Sequence, residues 1–230
     1  NEWGKYYQQI ADIDASNTQN WDDGDGGDAE GLSPIGNKSN SFTGSYNGDG
    51  YIIDGLKIDR ISNNHVGLFG YVDGGSISNL GVTNVDIRGG QLGTGGLVGK
   101  IRNSSTVTNC YSTGSVYGTG NAGGLVGSAS TTTVSNSYST CSVSICSVCY
   151  YAGGLVAYDD AGSTISNSYS TGSVSGYYYV GGLVGKIHFS PPNESIGSGT
   201  VSNSYSTGTV EANSYFGGLV GSATASTVSH

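Results

Sequence analysis

One phrase returns along the chain at near-constant intervals. It reads Gly95-Gly-Leu-Val-Gly99, Gly123-Gly-Leu-Val-Gly127, Gly153-Gly-Leu-Val-Ala157, Gly181-Gly-Leu-Val-Gly185 and Gly217-Gly-Leu-Val-Gly221, with a degenerate copy at Val66-Gly-Leu-Phe-Gly70. Its Leu residues, from Leu68 to Leu219, are 29, 28, 30, 28 and 36 residues apart. A unit of this length holds about three short strands with their turns, expected in one unit at Gly182 to Ile187, Val201 to Ser206 and Thr209 to Glu211. Such a unit cannot bury its apolar face alone. Stacking the units does so, at about 4.8 Å per rung, and places like residues directly above one another. The expectation is an all-β parallel β-helix, or β-solenoid, with rungs of about 28 residues.

A second phrase lies between copies of the first. It reads Val107-Thr-Asn-Cys-Tyr-Ser-Thr-Gly114, Val134-Ser-Asn-Ser-Tyr-Ser-Thr-Cys141, Ile165-Ser-Asn-Ser-Tyr-Ser-Thr-Gly172 and Val201-Ser-Asn-Ser-Tyr-Ser-Thr-Gly208, after a divergent Ile77-Ser-Asn-Leu-Gly-Val-Thr. The pair of phrases resembles the GLUG-motif repeats of large bacterial surface proteins, some of them similar to filamentous haemagglutinin-type adhesins. The resemblance covers residues 40 to 230, with Phe42-Thr-Gly-Ser-Tyr-Asn-Gly-Asp-Gly50 and Ile53-Asp-Gly-Leu-Lys-Ile58 similar to the usual lead-in. It implies an extracellular β-helix and only a loose function. Residues 1–40 depart from the repeat and are expected to form an irregular N-terminal cap or lead-in. Residues 41–230 are expected to form the solenoid.

Side-chain direction follows from substitutions within the second phrase. Leu80 aligns with Cys110, Ser137, Ser168 and Ser204, and Gly81 with Tyr111. A Leu suits an inward position, and a Gly in place of Tyr is easier to accept outside. Val107 and Cys110 are three apart, which breaks strict alternation unless the chain turns at Asn109. Asn tolerates the left-handed conformation, so Asn79, Asn109, Asn136, Asn167 and Asn203 read as a corner ladder, or else as ordinary solvated turn residues. Tyr111, Tyr138, Tyr169 and Tyr205 then form one outward aromatic ladder, and Tyr151, Tyr179 and Tyr215 a second. Ala122, Ala152, Val180 and Phe216 point inward. The competing reading places one Tyr ladder in the core, since Tyr is common in half-buried strands.

Net charge is −9, and 13 of the 17 acids lie at or before Asp86. A basic stripe for nucleic acid is not in evidence, and no apolar run approaches the roughly 20 residues of a membrane-spanning helix. The Cys residues are Cys110, Cys141, Cys146 and Cys149. Three of them cluster in one irregular segment, Cys141 to Tyr150, which points to a local disulfide of Cys141 with Cys146 or Cys149 and an oxidising compartment. Cys110 is expected to stay a buried thiol. A zinc site from Cys146 and Cys149 lacks a second ligand pair. The second irregularity is a turn-rich insertion, His188 to Gly199.

For chemistry, the three His do not join an acid and a nucleophile in any recurring phrase. Asp159-Asp160 is the one acidic pair in the regular repeats and reads as a solvated turn. A polysaccharide-degrading β-helix enzyme therefore rests on fold analogy alone. No cofactor is implied apart from calcium. Asp23, Asp25, Asp28 and Glu30, spaced among flexible Gly, are its candidate ligands, and a solvated acidic loop is the simpler account. The expected function is structural: an extracellular adhesin stalk or surface-fibre subunit. It would either assemble end to end or continue into a longer array. The alternative is a module whose Tyr ladders contact glycans or another cell-surface ligand.

Overall fold

The computed structural model describes residues 2–22, 29–188, 198–224 and 226–229. The chain winds as a β-solenoid of about 6 turns, with rungs of about 30 residues, slightly longer than the expected 28. Every pair of neighbouring strands in the four sheets runs parallel.

Each regular rung has four faces rather than three strands. In one turn the chain passes through Val98–Arg102, Thr106–Thr108, Tyr111–Gly118 and Asn121–Gly123 before the next Gly-Leu phrase restarts the circuit. The unit read as three strands likewise contains Val184–Ile187, Thr200–Ser202, Tyr205–Ser206, Val210–Glu211 and Ser214–Gly217. The longest uninterrupted order is an eight-stranded sheet from Tyr6–Gln8 through Ser45–Asn47 and on to Thr227–Ser229. The lead-in segment thus supplies strands of its own: Tyr6–Gln8 pairs with Ser45–Asn47, and Ile13–Asp14 with Ile53–Asp54.

The core is a set of apolar ladders along the axis. Leu97, Leu125, Leu155 and Leu183 are fully buried, as the motif requires. Val107, Val134, Ile165 and Val201 stack in register from the adjoining sheet. Ala122, Ala152 and Val180 also point inward. Phe216, expected to do the same, is instead 62% exposed, because its strand Ser214–Gly217 is the edge of its sheet among the described residues.

The corner residues explain how the sheets meet. Asn79, Asn109, Asn136, Asn167 and Asn203 all have positive φ between 48° and 55°. Their backbone N–H groups donate to the next rung, as from Asn109 to the Ser135 carbonyl. Side-chain amides continue the ladder at the N-terminal end, where Asn109 donates to Asn79 and Asn79 to Asn47. Directly after the corner, the inward hydroxyls satisfy amides that the turn would otherwise leave unpaired. The Ser137 Oγ accepts from the Cys110 N–H at 3.1 Å and donates to its own Ser135 carbonyl at 2.8 Å. Ser168 and Ser204 repeat the arrangement. These buried hydroxyls and amides are thus paired without charge.

The second Gly of each phrase that is covered by a following rung is required by close approach. A Cβ at Gly154 would lie 2.1 Å from the Gly182 carbonyl oxygen, and one at Gly124 would lie 2.2 Å from that of Gly154. The inward Ser112 and Ser170 donate to the carbonyls of Gly124 and Gly182 at this corner. This hydroxyl ladder was not anticipated from the sequence, although it follows from alternation about the outward Tyr.

Candidate functional site

The first Tyr ladder faces outward and is half-buried, with Tyr205 at its end 53% exposed. The rings of Tyr111, Tyr138, Tyr169 and Tyr205 stack with centroid separations of 4.8, 4.8 and 5.0 Å and lie within 3° of parallel. The stack follows directly from the strand register, since Tyr111, Tyr138, Tyr169 and Tyr205 are paired positions of parallel strands. Inner rings turn their faces to each other, leaving edges and hydroxyls to solvent. Burial, then the neighbouring phenols of Tyr111 and Tyr169, push the Tyr138 pKa up.

The second ladder is less regular. Tyr179 and Tyr215 stack at 4.9 Å, and both have positive φ, a conformation unusual for a bulky side chain. Tyr151 is tilted 41° from Tyr179 at 5.5 Å. Its ring instead stacks on Tyr158 at 4.6 Å, in the adjoining sheet. The Lys186 ammonium sits 4.5 Å from the Tyr179 centroid and 5.5 Å from that of Tyr151, within cation–π range.

The disulfide expectation needs correction. The bond joins Cys146 to Cys149, with Cα atoms 5.2 Å apart, while Cys141 is a free, buried thiol. The reason is register. Ser142–Ile145 is not loop but strand, paired with Ser115–Gly118, so Cys141 is drawn into the core and the irregular segment begins only at Cys146. Cys110 is the expected buried thiol. Its pKa is pushed up to about 12 by burial, which keeps it protonated and poorly nucleophilic.

Asp159 is also corrected. It is buried rather than solvated, because its strand places it in register with the inward Ala129 and Ile187. Its carboxylate accepts from the Ser163 and Ala161 backbone N–H groups, and burial raises its pKa. Asp160 is exposed and lies 3.7 Å from Lys100, whose pKa is lowered chiefly by burial. His65 packs edge-on to Tyr71, with its pKa lowered to about 4 mainly by burial.

Of the calcium candidates, Asp23, Asp25 and Asp28 lie outside the described residues. Glu30 forms an ion pair with Arg60. Most of the His188 to Gly199 insertion also lies outside the described residues. Among the described residues no three His, Cys, Asp or Glu side chains gather as a metal site, and no helix is long and apolar enough to cross a membrane.

Sequence reasoning missed one concave feature. Beside the disulfide, a cavity of about 560 Å³ opens between the turns of three rungs, with Tyr151 and Tyr158 in its wall. Its signal was present in the extra residues of the Cys141 to Gly153 interval, but which neighbouring turns would face that loop was not readable.

Comparison with known proteins agrees with the register. The model of the GLUG motif matches residues 90–117 and 176–211. Halomucin of Haloquadratum walsbyi is 41% identical over 127 residues, covering 53% of this chain and 1% of its own length. A Gly-rich membrane protein of Evansella cellulosilytica is 36% identical over 99 residues, covering 42% of this chain and 11% of its own length. The chain therefore corresponds to a small part of either relative. Fold and motif agree: the chain is a β-solenoid that carries matches to the GLUG motif at residues 90–117 and 176–211.

Proposed function

We propose that the chain is a structural segment of an extracellular surface protein, a stiff spacer of the kind used in adhesin stalks or surface fibres. The observation that carries this reading is the unbroken eight-strand register from Tyr6–Gln8 to Thr227–Ser229. At a strand spacing of about 4.8 Å it spans about 34 Å with continuous backbone hydrogen bonding. Buried hydroxyl ladders, Asn corners and stacked Tyr all reinforce the axis. Each of these contacts acts between adjacent rungs, so stiffness is added with every repeat.

Both ends of the solenoid present apolar surface that a further rung would cover. Tyr6 and Ile10 at one end are 63% and 83% exposed, and Phe216 and Val228 at the other are 62% and 47% exposed. Such edges, with unpaired strand groups beside apolar surface, take another strand readily. The covering rung belongs either to a longer array in the same polypeptide or to a second copy stacked head to tail, with Tyr6–Gln8 of one against Thr227–Ser229 of the next. Deletion of residues 1–15, followed by sedimentation and electron microscopy, separates these. Concentration-dependent fibres lost on deletion support stacking of copies. A chain that stays monomeric at high concentration rules out stacking of copies. For the surface role, antibodies to this segment are expected to label intact cells, with the epitope removed by external protease. Labelling only after cell lysis overturns it.

A further inference from the structure

The cavity beside the disulfide combines features that the rest of the shaft lacks. Its walls come from the turn at Gln91 and Leu92, the turn at Thr119 to Asn121, the loop from Cys146 to Tyr151, and Tyr158. Backbone bonds lock the walls together: the Asn121 N–H donates to the Gln91 carbonyl and the Cys146 N–H to that of Gly118. The disulfide closes the loop over them.

Away from the end rungs, exposed apolar side chains gather here. Among the described residues between 62 and 204, the exposed large hydrophobic residues are Leu92, Val148 and Tyr150, at 52%, 73% and 55%, and all three line this cavity. Elsewhere among the described residues of that span such groups are buried or half-buried, so three exposed together on one concave surface mark a contact site. Beside them lie the stacked Tyr151 and Tyr158 and the amides of Gln91 and Asn121. Burial is the main cause raising the pKa of both phenols, so they stay protonated; the Tyr158 hydroxyl donates to the Asp160 carboxylate and offers its oxygen as an acceptor. The lining contains no Asp, Glu, Lys or Arg.

We propose that this cavity binds an uncharged oligosaccharide. A sugar ring has a C–H face that packs on aromatic and aliphatic side chains and an equatorial rim of hydroxyls that pairs with amides, phenols and backbone carbonyls. The wall offers both kinds of group. No cation lines the cavity and the Lys186 ammonium beside Tyr151 is held over the Tyr179 and Tyr151 rings, so a carboxylate or sulfate on the ligand would lose its hydration without a charge in the lining to replace it, which selects neutral sugars. The volume falls within the range of about 300–1,000 Å³ typical of ligand sites. The site differs from the Tyr111 ladder, whose inner rings stack on one another.

The test is titration of the intact chain with neutral hexose and N-acetylhexosamine oligosaccharides, and with uronate and sialylated oligosaccharides as a counter-set. Binding is read by calorimetry and by amide chemical shifts. Neutral oligosaccharides are expected to bind and to shift amides of residues 91–92, 119–121 and 146–151. Tyr150→Ala and Gln91→Ala, both at exposed positions, are expected to weaken binding at least about tenfold with thermal stability unchanged. Tyr205→Ala, on the other ladder, is expected to leave it unchanged. The proposal is overturned if no neutral oligosaccharide binds at millimolar concentration or if only acidic ones bind. It is equally overturned if Tyr205→Ala abolishes binding that Tyr150→Ala preserves.

Discussion

Val180 and Phe216 hold the same register position in successive rungs, yet Val180 is fully buried and Phe216 is 62% exposed. The contrast runs through the whole rung. Leu183 is buried and Leu219 only half-buried. A Cβ at Gly182 would strike the Gly218 carbonyl oxygen at 2.0 Å, whereas one at Gly218 would meet nothing within 4 Å. The two rungs carry the same phrase and differ in having a neighbour on one side or on both. Burial in this molecule belongs to the interface between rungs rather than to the motif, as expected where stability is a sum of nearest-neighbour terms.

Three pairs of substitutions can break or sharpen that comparison. The largest effect is expected from the core. Leu155→Ala opens a cavity between two rungs and should cost about 4 kcal/mol, while Leu219→Ala should cost about 1 kcal/mol, both measured by urea unfolding. Equal costs would mean that the last rung is covered in solution. Next is the glycine corner. Gly154→Ala forces its methyl group against the Gly182 carbonyl and should destabilise by about 3 kcal/mol, whereas Gly218→Ala should stay within about 0.5 kcal/mol of the parent. Thermal denaturation distinguishes the two, and a harmless Gly154→Ala would show that the rungs sit farther apart than described. The smallest contrast lies in the stack. Tyr138→Ala removes two ring contacts and Tyr205→Ala one, so their costs should differ by about 1 kcal/mol. Identical values would mean that the stacked rings contribute nothing beyond the area they cover.

Much of the architecture was legible because it depends on period. Six Leu at near-constant spacing determine the stacking, and the three-residue step from Val107 to Cys110 requires the turn that Asn109 makes at φ 55°. The outward Tyr ladder and the inward Cys110, Ser137, Ser168 and Ser204 follow from the same alternation. The errors occur where a local reading competed with register. Cys141 looked like part of the cysteine loop because it adjoins it in sequence. Pairing of Ser142–Ile145 with Ser115–Gly118 instead turns its thiol into the core and leaves Cys146 and Cys149 to each other. Asp159 looked like a turn residue because it is charged, but the inward ladder of Ala129 and Ile187 determines its direction.

Periodicity by itself determined the fold class, the core Leu positions and the corner Asn residues, because a strand stacked on its own copy must place like residues together. The tertiary structure alone decided which surfaces meet across turns that are distant in sequence. Gln91, Asn121 and Tyr150 come together only when three rungs are stacked at their actual lengths and the loop of the third folds back over the turns of the first two. A motif repeated in register specifies contacts along the axis. The irregular segments carry no such repeat, so their partners depend on the lengths and directions of all the rungs around them.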